Sequence, residues 1–126
     1  MKVLLFGGTT EGKASSNWLD DLEIPHFYST KTSSGNYESK FGERICGAMN
    51  VAEICIFCLE NEIDLVIDAA HPFAEVLHQS ICDAANQASL PVIRVERDLV
   101  PRIENENVRY HQSMASILAD LQSEKF

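Results

Sequence analysis

Near the start of the chain, Gly7-Gly8-Thr9-Thr10-Glu11-Gly12 follows the apolar run Lys2-Val3-Leu4-Leu5-Phe6. Beyond it, Ala14, Trp18, Leu19 and Leu22 recur at helical spacing. A strand, a glycine turn and a helix start together suit a pyrophosphate. The N–H groups and positive dipole end of the helix attract the anion, and glycine lets backbone and phosphate approach without a Cβ between them. Against the G-x-G-x-x-G spacing, Gly7 and Gly12 take the outer positions and Thr9 stands at the middle one. Gly8 is then left to supply the close approach. The same residues also suit an ordinary strand-to-helix turn of an α/β protein.

Two further stretches could meet such a ligand. His26-Phe27-Tyr28-Ser29-Thr30 reads as a second strand, and Ser29, Thr30, Lys31, Thr32, Ser33 and Ser34 follow with no acid before Glu38. At this position an Asp or Glu holds the ribose 2′-hydroxyl of NAD, whereas basic or hydroxylic groups accept the 2′-phosphate of NADP. NADP is therefore expected over NAD if a dinucleotide binds. The alternative is a polar surface loop turning at Gly35-Asn36. The other stretch is Asp68-Ala69-Ala70-His71-Pro72-Phe73-Ala74. His71 ends an apolar strand and could contact ribose or substrate, or cap the helix that follows.

Cys55-Ile56-Phe57-Cys58 has the C-x-x-C spacing of redox and zinc sites. However, Val51, Ile54, Cys55, Cys58 and Leu59 recur at helical spacing, which puts both thiols on an apolar stripe. Core packing is expected of them, and no metal.

The elements that must position these groups alternate. After the third strand, Arg44-Ile45-Cys46, ending at Gly47, Asn50 caps a helix with Glu53 three residues on, running to about Glu62. Asp64-Leu65-Val66-Ile67-Asp68 is a fourth strand, and the next helix is expected from Pro72 with Leu77, Ile81, Ala84, Ala85 and Ala88 as its apolar face. Val92-Ile93-Arg94-Val95-Glu96 is a fifth strand and Val108-Arg109-Tyr110-His111 a weaker sixth. Ser113 caps a last helix carrying Met114, Ile117, Leu118 and Leu121. Such alternation predicts an open, mostly parallel α/β sheet with helices on both faces, a three-layer, Rossmann-like arrangement. Its ligand crevice lies at the carboxyl ends of the strands, where the three loops converge.

With 126 residues the chain is one domain's worth. A net charge of −9 argues against a nucleic-acid groove. No run approaches the roughly 18 apolar residues of a membrane span, and the opening run is too short for a signal peptide. Four cysteines without a disulfide-like pattern fit a reducing cytoplasm.

Taken in order, Gly7 to Gly12, Ser29-Thr30 leading to Gly35, Gly47, and Ile67 to Ala74 resemble the precorrin-6A reductase family of cobalamin biosynthesis. The likeness runs from the first strand to about Glu96. One departure is Ala70, where the family usually has Thr. The resemblance implies NADPH-dependent, in some members NADH-dependent, reduction of a double bond in a ring-contracted tetrapyrrole, precorrin-6A or its cobalt form. It also implies a chain about twice as long, with a second α/β domain, so that 1–126 would be the N-terminal half. Together these readings place cofactor contacts at Gly7, Gly8, Thr9, Thr10, Glu11 and Gly12, at Ser29, Thr30 and Lys31, at Gly47, and at Ala69, His71 and Pro72. His71 is the only candidate for a role in the reaction. Two other classes compete: an NADP-sensing module that reduces nothing, and a flavodoxin-like or receiver-like interaction domain with no dinucleotide. A receiver would want acids after the first and third strands, where Phe6-Gly7 and Cys46-Gly47 stand.

Overall fold

Short apolar runs bounded by turn residues become parallel strands when both of their faces can be covered. In the computed structural model, which describes residues 1–33, 35–95 and the main chain of 108–111, β1 (Val3–Phe6) and β4 (Leu65–Asp68) are buried along their whole length. They lie side by side at the centre of a parallel, six-stranded sheet. β2 (His26–Thr30) and β3 (Gly42–Cys46) extend it on one side, β5 (Val92–Val95) and β6 (Val108–His111) on the other. The order is β3-β2-β1-β4-β5-β6. The chain leaves β1 in one direction and returns to its other side at β4, so the topological switch point falls between these two strands.

Alternate residues of the central strands feed two cores. Val3, Leu5, Leu65 and Ile67 pack with Leu19 of α1 (Thr10–Asp21) on one face. Leu4, Phe6 and Val66 pack on the other with Ile54 of α2 (Val51–Glu60) and Ile81 of α3 (Glu75–Ala88). Among the described residues no helix is long and apolar enough to cross a membrane.

The helices end alike. Glu23, Glu62 and Ser89 adopt positive φ values of 57°, 54° and 56°. Behind each, an apolar residue donates its N–H to a carbonyl five residues back: Ile24 to Leu19, Ile63 to Cys58 and Leu90 to Ala85. This is the Schellman closure, made here without glycine. At its start α2 carries the full expected capping box, with Glu53 N–H on Asn50 Oδ1 at 2.8 Å and Asn50 N–H on Glu53 Oε1 at 3.0 Å.

Between β2 and β3 the crossover contains no described helix. Tyr37 stacks on Tyr28 with ring centroids 4.2 Å apart, and its hydroxyl lies 2.6 Å from Ser16 Oγ, itself 2.7 Å from His26 Nε2. Asp20 of α1 accepts from Ser39 Oγ at 2.6 Å and from the N–H of Phe41 at 2.9 Å.

Several sequence expectations are corrected. α3 begins at Glu75 rather than Pro72, because Pro72 and Phe73 form a turn closed on His71. α1 buries Gly12, Ser15, Ser16 and Leu19, whereas Ala14 and Leu22 are exposed. The buried serines are tolerated because their hydroxyls bond internally, Ser15 to the Glu11 carbonyl and Ser16 to His26. On α2, Ile54 and Cys58 are buried and Cys55 half-buried, but Leu59 faces out. The helix expected from Ser113, with Ser34 and Glu96, lies outside the described residues.

Candidate functional site

At the switch point, the turn after β1 is shaped by side chains beneath it. Gly8 sits at φ +88°, and its N–H donates to Tyr28 Oη at 2.8 Å. Burial pushes the Tyr28 phenol above its ordinary value, although the Gly8 N–H draws it the other way, so the hydroxyl stays protonated at neutral pH. A Cβ on Gly7 would lie 2.2 Å from the Tyr28 ring, and one on Gly12 would lie 2.7 Å from Gly7 Cα. Gly7 and Gly12 are therefore required by internal packing. Thr9, at the middle position of the glycine pattern, caps α1: its Oγ1 accepts from the N–H of Gly12 at 2.9 Å and donates to the Ala69 carbonyl at 2.6 Å. It thereby ties the helix start to the end of β4. The N–H groups of Thr9 and Thr10 face no protein acceptor among the described residues.

The β2 end forms the second side. Ser29 and Thr30 are buried, Lys31 and Thr32 exposed. Arg44 reaches across from β3, donating from Nε to Thr30 Oγ1 at 3.2 Å, from Nη1 to the Gly35 carbonyl at 2.8 Å and from Nη2 to the Thr32 carbonyl at 3.1 Å. Gly47, at φ +114°, closes β3 with its N–H on the Thr30 carbonyl at 2.9 Å.

On the third side, β4 ends in Asp68, which is fully buried. Asp68 Oδ1 accepts the N–H of Ala70 at 3.1 Å, and Oδ2 meets His78 Nδ1 of α3 at 2.5 Å and Arg94 Nη2 of β5 at 3.3 Å. Asp68 and Arg94 are direct neighbours in the sheet register, which sets that last approach. His71 is exposed at the rim, and its Nδ1 accepts the N–H of Phe73 at 3.2 Å. That bond leaves Nε2 as the protonated ring nitrogen of a neutral His71. His71 does not cap α3, whose N-terminus carries no side-chain cap bond.

These three sides bound one cleft of about 640 Å³, within the usual span for small-molecule sites. Of the residues read from sequence, Gly7, Gly8, Thr9, Ser29, Thr30 and Lys31 line it, as do Gly47 and His71. Thr10, Glu11, Gly12, Ala69 and Pro72 are not among its lining residues; Gly12 and Ala69 are buried behind the wall. An apolar side of Met49, Phe73, Val76 and Leu77 was not expected. Sequence reading also missed Arg44 and the Asp68–His78 pair. A basic residue inside a short strand, and a histidine on an apolar helix face, were the available signals. Among the described residues, no group of three or more His, Cys, Asp or Glu is arranged to hold a metal ion.

Comparison with known proteins gives a family match over residues 2–125, to the precorrin-6x reductases described as CbiJ/CobK. Cobalt-precorrin-6A reductase of Salmonella typhimurium is 29% identical over 97 residues, covering 75% of this chain and 37% of that protein. Among solved structures, CobK precorrin-6A reductase superposes with a TM-score of 0.71 at 24% identity, over 84% of this chain and 42% of that one. RSP in complex with β-NADH superposes with a TM-score of 0.57 at 14% identity, over 94% and 56% of the two chains. The chain spans about two-fifths of the length of the curated relatives it matches.

Proposed function

Because the chain belongs to the precorrin-6x reductase family of cobalamin biosynthesis, we propose that its cleft binds NADPH for the reduction of a ring-contracted tetrapyrrole, precorrin-6A or its cobalt form. The observation that carries this reading is the meeting of the Gly8 turn and the Thr30–Arg44 side in one cleft at the switch point. The residues fit a dinucleotide. The open N–H group of Thr9, which lines the cleft at the start of α1, suits the pyrophosphate, and Gly8 offers it no Cβ. Lys31 and Arg44, with the hydroxyls of the β2 end, suit a 2′-phosphate.

Bound there, the cofactor supplies a hydride, and the work left to the chain is orientation. His71 stands on the β4 side with Nε2–H available as a donor, which suits the nicotinamide half or the substrate. Phe73 and Val76 add an apolar wall next to it. On this reading 1–126 is the cofactor-binding half of a two-domain reductase, and much of the substrate site belongs to the remaining length found in its relatives.

Titrating this chain with NADPH and with NADH tests the proposal. NADPH should bind more tightly, and Lys31→Glu should erase most of the difference. Gly8→Val should weaken NADPH binding by about tenfold or more, the scale of a hydrogen bond lost to a charged group, with the fold retained by circular dichroism. Tighter binding of NADH, or a Gly8→Val variant that binds as the parent does, would refute it.

A further inference from the structure

His78 is only 5% exposed, yet both of its ring nitrogens have partners. Nε2 lies 2.9 Å from the carbonyl oxygen of His71. A carbonyl can only accept, so Nε2 carries a proton. Nδ1 lies 2.5 Å from Asp68 Oδ2. The other groups around that carboxyl are also donors, the Ala70 N–H on Oδ1 at 3.1 Å and Arg94 Nη2 at 3.3 Å from Oδ2. Oδ2 is thus shared by His78 of α3 and Arg94 of β5, which gather both elements on the end of β4. We infer that His78, bonded through its two ring nitrogens to Asp68 and to the His71 carbonyl, is a positioning residue that sets the His71–Ala74 turn against the cleft.

The turn needs an anchor. α3 starts without a side-chain cap, and the bonds inside the turn, Phe73 N–H to His71 Nδ1 at 3.2 Å and Ala74 N–H to the His71 carbonyl at 2.9 Å, are local. They fix its shape but not its place. The His78 bond joins the turn to α3 and, through Asp68, to the end of β4. His71, Phe73 and Ala74 line the cleft, and Phe73 is 80% exposed. Where these groups stand therefore depends on a side chain that does not itself line the cleft.

The binding arm of the test rests on the NADPH reading; the spectroscopic arm does not. In the 15N-labelled chain, Nε2 of His78 should carry a proton held on the His71 carbonyl, giving a one-bond N–H correlation protected from exchange. A bare Nε2 in that ring would overturn the bond to the His71 carbonyl. His78→Leu should shift the amide resonances of His71, Phe73 and Ala74 while those of β1 stay in place, and should weaken NADPH binding about tenfold, the scale of one hydrogen bond. His78→Gln keeps an N–H donor and should recover part of both losses. If His78→Leu leaves the turn resonances unmoved and binds NADPH as the parent does, His78 positions nothing. If the parent itself fails to bind NADPH, the cofactor reading falls, while the Nε2 proton and the turn resonances still decide the role of His78.

Discussion

Gly7→Ala tests whether the glycine turn is shaped from below by Tyr28. A Cβ built on Gly7 lies 2.2 Å from Tyr28 Cε1, 2.3 Å from Cζ and 2.7 Å from Oη, where ordinary contact begins at 3.4 Å. The ring and the turn must therefore part by roughly 1.2 Å, the difference between the first and last of these distances. Tyr28 has little room to retreat. It is 1% exposed, stacked on Tyr37 at an interplanar angle of 9°, and bonded through Oη to the Gly8 N–H. Overpacking of a filled core costs about 1–3 kcal/mol, and losing the Gly8–Tyr28 bond adds about 1 kcal/mol. Gly7→Ala should thus destabilise the chain by about 2–4 kcal/mol in urea unfolding, with the slope m unchanged. Tyr28→Ala removes the obstacle at its own cavity cost. In the double variant the penalty of Gly7→Ala should shrink by about 1–3 kcal/mol, the coupling expected of residues in contact. A Gly7→Ala chain within about 0.5 kcal/mol of the parent, or strict additivity in the cycle, would refute the reasoning.

Further outcomes are expected elsewhere. Glu62→Gly should raise stability by up to about 1 kcal/mol, because glycine holds the φ of 54° without a Cβ penalty, and the thermal midpoint should rise accordingly. At Asp20 burial pushes the carboxyl upward, but hydrogen bonds from Ser39, Phe41 and Lys40 outweigh it and hold the group below its ordinary range. Its contribution is thus present above the unfolded-state value and lost as pH falls through the folded one. The stability gap between the parent and Asp20→Asn should close on acidification, as denaturant melts across that range would record. Burial, then the neighbouring Cys55, pushes the Cys58 thiol up to about 11, and burial also raises Cys82. A thiol reagent at mildly alkaline pH should modify exposed Cys46 first and reach Cys58 and Cys82 only on unfolding.

What could be read from the chain depended on how local the determining forces are. Val3 to Phe6 and Leu65 to Asp68 declare buried strands because an apolar, β-branched run has few other uses, and Asn50 with Glu53 closes its capping box within one turn. The parallel sheet and the crevice at its carboxyl ends followed from alternation, whereas the strand order that puts the switch point between β1 and β4 did not. The failures are tertiary. Pro72 is a fitting first helical residue, yet the bond from Phe73 to His71 wins and the helix waits until Glu75. Ser15 and Ser16 look like a solvent face until their bonds to the Glu11 carbonyl and His26 are seen. Glycine is the usual residue for a left-handed helix cap, so the positive φ at Glu23, Glu62 and Ser89 carried no signal beyond the apolar residue that follows each. In the site, the loops and their convergence were legible. The division of labour was not: Gly7 and Gly12 serve packing, Thr9 serves as a cap, and the partners of Asp68 lie ten and twenty-six residues downstream, at His78 and Arg94.

The crossover between β2 and β3 makes this sheet modular at one corner. Its stem is fastened by Tyr37, Ser39 and Phe41 to α1 and β2, whereas Lys31, Thr32 and Ser33 are exposed and belong to neither core. A helix in this place would have to keep an apolar stripe through every change of sequence. The bends at 31–33 on a pinned stem carry no such obligation. Their residues can be exchanged by grafting without repacking a layer, so this corner of the cleft can be rewritten while the strands beneath it keep their register.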